Sequence, residues 1–466
     1  MSEIDLDDIQ GLILRGYKKD EACHLVLQIL EPERFRELLA ELTDEDPETG
    51  PFITVATDWK RKPPVDVDAE HCVNLGFTFE GLKALVPDVE SQTPPFPEAF
   101  QKGAAERGEK WAGETGRNHS DKWKSTLVGN RVHAILSVYA DDAGELEKVL
   151  SYLRGRMEGA VEELDHFPAH RLDGKDVEHF GYEDGLSQPT IEGVEPRAGL
   201  EDPFSRVPAG EFVLGLDTQR EDPWEPMPEL GRNGSFAAFR VMEQDVRGFR
   251  DLLAAEARST GLGEELLAAK LCGRWPNGEP LMMRAPGDPA EGIPKPERNM
   301  FDYESTEAFP NGDPEGLRCP RGAHIRRAFP RSQRVVDDFN GFKRRIVRRG
   351  MPYGPKYDPA RPDEGDRGLV GHFICSSLAN QYEYIMREWI NDGVFTGGRL
   401  GRTKDPLTGA NDPADSRFSI PGDEDVELTG FTQYVTTVGC VYLFLPSMTV
   451  LRQMARLANP RSQSAA

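Results

Sequence analysis

The sequence predicts an α+β protein of two ferredoxin-like domains, each an antiparallel sheet with helices packed on it. Three observations lead to this prediction. Short apolar runs typical of strands alternate with amphipathic helical patterns. The order strand, helix, strand, strand, helix, strand occurs in the first part of the chain, and a second round begins near residue 212. The 466 residues are also too many for one hydrophobic core. We therefore expect domains at 1–211 and 212–466.

The first round of elements is expected before residue 173. Apolar runs predict strands, and residues 71–85 indicate a strand that continues into a helix. Asp141 or Asp142 is a plausible N-cap for the helix that follows the third strand. Residues 86–130 are rich in proline, glycine and charge and have no clear periodicity. The other predicted strands are 23–30, 131–139 and 161–172, and the other predicted helices are 32–42 and 142–157.

The second round follows the same scheme with longer connections. Residues 273–335 and 395–428 are expected to be largely loop, and a loop of about 60 residues inside a compact domain usually serves a function. Predicted strands are 235–241, 342–347, 368–375 and 433–444, and predicted helices are 245–258, 264–271, 378–390 and 448–457.

Composition restricts the class of protein and its partners. The formal charge is −24, and 38% of residues are hydrophobic, as in an ordinary soluble protein. Such acidity argues against nucleic acid or an anionic membrane surface as a partner and favours small neutral or cationic molecules. The six cysteines are scattered, which fits a reducing compartment. No signal peptide or membrane span is predicted, so we expect a cytoplasmic protein, either monomeric or oligomeric.

Three segments stand out chemically. His324 lies in the stretch GLRCPRGAHIRRAFPR (316–331), which carries five arginines in an acidic chain. This pattern is compatible with a basic surface loop, or with a histidine that binds a metal or haem while arginines hold the carboxylates of the cofactor. Asp184 lies between two glycines in GYEDGLSQP (181–189), either as a surface turn or in a specially shaped site. The third segment, RRIVRRGMPYG (344–354), could be a basic strand edge.

Taken in this order, the three segments resemble the dye-decolourising peroxidase family of haem enzymes. Flanking segments are similar too: DIQGLILRGYKK, NGSFAAFRVMEQDV, GRWPNGEPL and LANQYEYIMREW. The resemblance covers most of the chain. It implies a pair of ferredoxin-like domains, haem b (iron protoporphyrin IX) as the cofactor, hydrogen peroxide as the oxidant, and dyes, phenolics and similar small aromatic molecules as reductants.

The resemblance also implies roles for individual residues. His324 matches the proximal iron ligand, Asp184 the distal aspartate and Arg348 the distal arginine, with Arg349 as the alternative if the register slips by one. Candidates for the haem propionates are Arg326 and Arg331. Gly350 departs from members that have asparagine two positions after the distal arginine, which puts a third distal donor in doubt.

These residue types suit peroxide reduction. A carboxylate such as Asp184 can carry the proton from one peroxide oxygen to the other, and the permanently charged Arg348 can stabilise developing negative charge. A second acid is expected to accept the Nδ1–H of His324, but the sequence does not identify it.

Electron relay through aromatic side chains is a further hypothesis. The candidates are Trp389, Tyr382, Tyr384 and Trp275, although each also fits a packing role. His372, in the apolar strand GLVGHFIC, is expected to be a core histidine rather than a second ligand. Two alternative functions remain at this point: a haem protein for carriage or storage, and a non-haem structural or calcium-binding protein.

Overall fold

The structure is a computed structural model that describes residues 4–44, 52–57, 70–194, 206–287, 292–333, 341–363, 365–392 and 403–457. Its first half carries four of the strands of the main sheet. Asp142 caps the helix Ala143–Met157, because its carboxylate accepts the backbone N–H groups of Gly144 and Glu145. The elements are α1 Gly11–Leu14, β1 Glu21–Ile29, α2 Pro32–Thr43, β2 His71–Phe77, α3 Phe79–Leu85, α4 Glu98–Arg107, β3 Ala134–Ala140, α5 Ala143–Met157 and β4 Val161–His170.

The second half repeats the pattern after two short parallel strands, β5 Thr190–Ile191 and β6 Arg206–Val207. Two consecutive π-helical turns, Leu378–Glu383 and Ile385–Ile390, follow its third strand. The remaining elements are β7 Ser235–Gln244, α6 Val246–Thr260, α7 Glu264–Cys272, α8 His324–Ala328, β8 Val347–Tyr353, β9 Gly368–Cys375, β10 Arg417–Ile420, β11 Val426–Thr429, β12 Val435–Leu445 and α9 Met448–Arg456.

The sheet topology confirms the predicted fold class. Its eight strands run in the order β4-β1-β3-β2-β12-β7-β9-β8, and every pairing within it is antiparallel. Each half therefore has the same ferredoxin-like order: fourth strand, first, third, second. The halves join where Phe77 of β2 pairs with Phe444 of β12, and β4 also lies against β8, so the sheet curls towards a barrel. The predicted boundary between residues 211 and 212 stays a prediction.

Several local predictions were wrong. The strand expected at 342–347 begins at Val347, and residues 341–344 form a 3₁₀ turn. Residues 86–130 contain α4 despite their proline and glycine, because tertiary packing buries Phe100 of this helix in the core. The described part of the 395–428 loop contains the hairpin β10–β11.

Two apolar layers cover the two faces of the sheet. One contains helix residues such as Leu39, Val149 and Trp389, and the other contains Phe212, Phe239 and Ile374. Among the described residues, none of the helices is both long and apolar enough to cross a membrane. The segment that follows β4 and the segment that carries α8 both reach the second half of the sheet, where the candidate site lies.

Candidate active site

Asp184 is presented by a tightly bonded loop that follows β4. Val177 bridges Glu183, and the Asp184 N–H donates to the Asp176 carbonyl at 2.9 Å. Gly181 and Gly185 have φ of +99° and +76°, values that only glycine adopts without strain. The half-buried Asp184 carboxylate accepts the Gly185 N–H at 2.6 Å. The glycines of GYEDG thus shape the backbone on both sides of the acid.

Glu178 closes the same loop, and no sequence motif drew attention to it. Its carboxylate accepts the backbone N–H groups of Phe180 and Tyr182, both at 2.9 Å, and the side-chain amide of Gln244. Burial raises the pKa of Glu178 to about 6, against the opposing effect of these hydrogen bonds, and the Asp184 charge adds to the rise. A second acid therefore lies within electrostatic range of Asp184.

Gln188 ties the end of this motif to strand β8. Its side-chain amide donates to the Arg348 carbonyl at 2.9 Å and accepts the Arg348 N–H at 3.1 Å, so one side chain satisfies both backbone groups. The Ser187 carbonyl accepts an N–H of Arg345 at 3.1 Å. These bonds bring the GYEDGLSQP and RRIVRRGMPYG segments together, as a common site requires.

Strand alternation separates Arg348 from Arg349. Arg348 pairs with Phe373 of β9 and Arg349 pairs with His372, so the two arginines point to opposite faces of the sheet. The Arg349 Nε donates to the Leu12 carbonyl at 2.9 Å on the α1 side. The Arg348 charge acts on His324, where it opposes protonation of the imidazole. Within the described parts of the chain, the Arg348 guanidinium donates no hydrogen bond, so Arg348 is the arginine on the His324 side.

His324 is the first residue of the short helix α8 and is oriented by Asp405. The imidazole Nδ1 lies 2.9 Å from Asp405 Oδ2, and the Asp405 side chain is fully buried. The other oxygen, Oδ1, accepts the backbone N–H groups of Leu407 and Thr408 at 2.9 and 2.8 Å. Because both carboxylate oxygens are hydrogen-bonded, the Asp405 side chain is held in one orientation towards His324.

The electrostatics of this pair favour a charged Asp405. Burial alone would lower the pKa of His324, but the charge and hydrogen bond of Asp405 outweigh burial and raise that pKa. Burial likewise disfavours the Asp405 carboxylate, yet its interaction with His324 holds the pKa of Asp405 below its ordinary value. Asp405 is thus the acid partner that the sequence left unidentified. It lies 81 positions from His324 in a polar loop, and no spacing rule connects the two.

The prediction that Arg326 holds a haem propionate stays a prediction, and the structure shows what surrounds this side chain. Arg326 is fully buried, and its guanidinium donates to Gln333, to the Cys319 carbonyl and to the Asp313 carbonyl at 2.6, 2.6 and 2.8 Å. It also lies over the ring of Tyr303. Since protein acceptors already surround this guanidinium, Arg326 is a structural arginine that fixes the segment before α8.

The Arg331 guanidinium donates fewer hydrogen bonds to the described residues than that of Arg326, and its backbone conformation is unusual. It has φ of +57°, a conformation rare outside glycine, and its Nη1 donates to the carbonyls of Asn299 and Phe301 at 3.1 and 2.7 Å. Asn299 in turn contacts Ser187 and Leu186 of the Asp184 motif. This network links Arg331 to the distal segment.

The other singled-out residues are mainly packing residues. His372 is 2% exposed and lies against the rings of His24 and Phe239, and burial lowers its pKa well below the ordinary value. Trp389 and Tyr382 are each 1% exposed, so neither can touch a bulky substrate. Tyr384 and Trp275 are half-buried.

The donor set around His324 fits haem better than a metal held by protein alone. Among the described residues, no group of three or more His, Cys, Asp or Glu side chains is placed to hold a metal ion. The His324 Nε2 has no hydrogen-bond partner in these parts of the chain, and its side chain is 25% exposed. A metal bound there would need its other ligands from a cofactor, as a porphyrin provides.

Comparisons with known proteins concern the whole chain and its fold. Residues 8–171 match the family described as the DyP dimeric alpha+beta barrel domain. The chain is 27% identical to dye-decolorizing peroxidase msp1 of Mycetinis scorodonius, with 96% of this chain and 87% of the relative covered. It is 28% identical to multifunctional dye peroxidase DyP2 of an Amycolatopsis species, with 96% of each chain covered. A solved dye-decolorizing peroxidase in complex with 2,6-dimethoxyphenol superposes with a TM-score of 0.78 at 25% identity, over 97% of this chain and 100% of that one.

The matching domain and the named relatives support a peroxidase built on an α+β barrel. The matching domain, the curated relatives and the solved structures all support the dye-decolourising, or DyP-type, peroxidase family. This similarity confirms the resemblance seen in the sequence, and it favours peroxidase turnover over carriage or storage of haem.

Proposed function

We propose that this peroxidase binds haem b through His324 and uses hydrogen peroxide to oxidise phenols, dyes and related aromatic molecules. The observation that carries this proposal is the His324–Asp405 pair, a buried carboxylate 2.9 Å from one imidazole nitrogen, with the other nitrogen free of protein partners in the described structure. The bound haem supplies the iron centre at which peroxide is reduced and oxidising equivalents are held. The complex of a relative with 2,6-dimethoxyphenol supports a phenolic reductant.

On the proximal side, Asp405 holds the proton of His324 on Nδ1. The two backbone N–H groups on Oδ1 keep the carboxylate ionised and oriented, so Nε2 carries the lone pair that an iron ligand needs. The negative charge of Asp405 also increases the basicity of the imidazole. Arg331, which is buried and linked through Asn299 to the distal segment, is the remaining candidate for a propionate.

On the distal side, Asp184 accepts a proton from one peroxide oxygen and returns it to the other, which leaves as water. Arg348 stabilises the negative charge that develops as the O–O bond breaks. Its guanidinium has no hydrogen-bond partner among the described residues, so no protein bond has to break before it acts. Gln188 holds both segments in register through the backbone of Arg348.

We further propose a cytoplasmic location. All six cysteines are buried and unpaired, as expected for a chain that folds in a reducing compartment. We also propose that Trp389, Tyr382, Tyr384 or Trp275 relays electrons from the surface to the haem.

The test is a spectrum followed by a turnover assay. The purified protein should show the strong absorption band of histidine-ligated haem, change this band within one turnover of added peroxide, and then oxidise 2,6-dimethoxyphenol. A protein that incorporates no haem would refute the cofactor assignment. Haem without peroxide-dependent oxidation would favour the carriage or storage alternative.

A further inference from the structure

The short helix that presents His324 also carries a buried arginine, Arg327, which the proposed mechanism does not use. Arg327 is fully buried, and its guanidinium donates hydrogen bonds to three backbone carbonyls. Nη1 donates to the carbonyls of Trp389 and Asp392 at 2.7 and 3.0 Å, and Nη2 donates to that of Thr403 at 2.5 Å. One side chain thus joins α8 to two segments that are distant from it in the sequence.

The same two segments hold Asp405, the acid partner of the histidine. The Asp405 backbone N–H donates to the Ile390 carbonyl at 2.8 Å. The side-chain oxygen of Asn391 accepts the N–H of Ala410, just after the turn that follows Asp405, at 2.8 Å. Residues 389–392 are therefore a common support, which accepts hydrogen bonds both from the arginine of α8 and from the turn that carries the acid.

These bonds close a ring around the proximal pair. His324 Nδ1 contacts Asp405 Oδ2, and the Asp405 N–H contacts the Ile390 carbonyl. The neighbouring carbonyl, that of Trp389, accepts Arg327, which lies three positions after His324 in α8. Residues three apart in a helix lie on the same face. Because the ring is closed, the seating of Arg327 on its acceptors determines how Asp405 meets the imidazole.

The chemistry of this side chain fits positioning better than packing. A guanidinium is planar and presents its N–H donors in a rigid arrangement, so its two end nitrogens can serve two segments at once. Burial lowers the pKa of Arg327 to about 10, against the opposing charges of Asp405 and Asp392, so a positive charge is costly at this position. A side chain needed only for packing could be apolar, since apolar residues often stabilise a core as well as buried charges do.

We propose that Arg327 is a positioning residue for the proximal histidine. By holding α8 against residues 389–392 and Thr403, it keeps the Asp405 carboxylate in hydrogen-bond contact with His324 Nδ1. The proposal rests on the proposed role of His324 as the iron ligand. Helix α8 has only five residues, too few to be stable alone, so its orientation depends on such tertiary bonds. Without the link, the bond to the acid weakens and the imidazole becomes a poorer donor to the iron.

The first test changes the geometry of the donors and keeps the charge. In haem-loaded Arg327→Lys, one ammonium nitrogen replaces two guanidinium nitrogens and cannot reproduce their spacing. We expect a higher reduction potential and a lower iron–histidine stretching frequency, both in the same direction as in Asp405→Asn. The reaction with peroxide should slow about tenfold, the lower end of the range for residues that orient a metal ligand. Because the charge is kept, a shift in the potential reports a change in position.

Lys270→Gln is the matched control. Lys270 is also a buried cation, 9% exposed, and it donates to the backbone carbonyls of Leu317 and Arg318, at 2.9 and 2.7 Å, in the segment before α8. This variant removes carbonyl contacts near the same helix but not the link to Asp405. Its reduction potential and stretching frequency should therefore keep their wild-type values.

Combining Arg327→Lys with Asp405→Asn tests whether the arginine acts through the acid. In the double variant, the potential should equal that of Asp405→Asn alone, and the rate with peroxide should agree within about twofold, because coupled residues are not additive. General damage to the fold would add to the effect of Asp405→Asn. Additive changes would therefore overturn the proposal.

Hydrogen exchange supplies a readout that does not depend on haem. In Arg327→Lys, the backbone N–H groups of Asp405, Leu407 and Thr408 should exchange faster than in wild type, whereas Lys270→Gln should leave them unchanged. If the variant takes up no haem, this exchange decides the question. Wild-type exchange at these residues, or a wild-type potential in Arg327→Lys, would overturn the proposal. A wild-type protein that binds no haem or does not react with peroxide would instead refute the proposed function itself.

Discussion

The two sides of the candidate haem site are built differently. On the proximal side, His324 is bonded to Asp405, and Asp405 is held by two backbone N–H groups. On the distal side, the carboxylate of Asp184 is bonded within the described chain only to the N–H of the next residue, and the Arg348 guanidinium makes no hydrogen bond there. The backbones of the distal residues are nevertheless fixed, through Gly185 and Gln188.

This difference matches the tasks of the two sides. A metal ligand needs one orientation and one protonation state, which a fully bonded partner provides. Groups that act on peroxide need donors and acceptors that are not already occupied by the protein. The comparison therefore predicts that proximal substitutions affect cofactor binding and electronics, whereas distal substitutions affect the reaction with peroxide.

The largest effect is expected from His324→Ala. This variant should lose most of its haem or show a strongly altered spectrum, because the described residues offer no second histidine in a comparable position. His372→Ala is the control and should keep normal haem content, since His372 lies in the core on the opposite face of the sheet. Haem content per chain, measured by absorption, checks both. Wild-type haem in His324→Ala would disprove the ligand assignment.

A smaller effect is expected from Asp405→Asn. The amide can still accept the Nδ1–H of His324 but carries no negative charge, so the imidazole becomes a weaker donor to the iron. We expect retained haem, a higher reduction potential and a reaction with peroxide slowed by about 10-fold to 100-fold, the usual range for a lost carboxylate partner of a metal-bound histidine. Spectroelectrochemistry and stopped-flow absorption measure these quantities. An unchanged potential would show that Asp405 only positions the ring.

The buried histidines of the opposite face should make stability depend on pH. Burial lowers the pKa of His24 to about 3, from an ordinary 6.5. Between these values the unfolded chain binds the proton and the folded chain does not, so stability falls as pH decreases through this window. At pH 5, His24 should cost about 2 kcal/mol relative to pH 7.

Urea unfolding at pH 5 and pH 7 measures this dependence. His24→Gln should reduce the loss of stability between the two pH values, even if the variant is less stable at pH 7. His166→Gln, at an exposed position on β4, should leave the loss unchanged. Equal losses in wild type and His24→Gln would exclude His24 as a source of acid sensitivity.

The smallest effect concerns surface charge. At −24 and a pI near 4.9, the protein should repel anionic dyes near neutral pH, and the repulsion should weaken as pH falls towards the pI. Added salt should therefore raise turnover of an anionic anthraquinone dye at pH 7 without changing that of a neutral phenol. Identical pH profiles for both substrates, with no salt effect, would assign the pH dependence to the haem pocket instead.

The sequence predicted the fold well because its signals are local. The apolar run in 368–375 gives β9 with the same bounds, and Asp142 gives the N-terminus of α5. The strand expected at 342–347 was displaced because its basic residues do not alternate clearly with apolar ones. Helix α4 was missed because its stability comes from aromatic packing of Phe96 and Phe100 against β7 and β12.

The site was predictable where residues adjoin in the chain and unpredictable where they meet only in the fold. The glycines on both sides of Asp184 indicated the tight backbone of its loop directly. Asp405 and Gln188 contact their partners across 81 and 160 positions, and nothing in a single sequence records such contacts. The protein acceptors around Arg326 were hidden from the sequence for the same reason, and its assignment to a propionate stays a prediction. Its place beside His324 in the sequence says nothing about which acceptors its guanidinium reaches.

The most direct test of the account compares the two neighbouring arginines of β8. Stopped-flow absorption should follow the reaction of hydrogen peroxide with haem-loaded Arg348→Leu and Arg349→Leu at matched haem concentration. We expect Arg348→Leu to keep its haem but react about 10²-fold more slowly or worse, as Asp184→Asn should. Arg349→Leu should react at the wild-type rate, because its side chain bonds to Leu12 on the other face. A wild-type rate in Arg348→Leu, or a selective loss in Arg349→Leu, would contradict the assignment of the distal side.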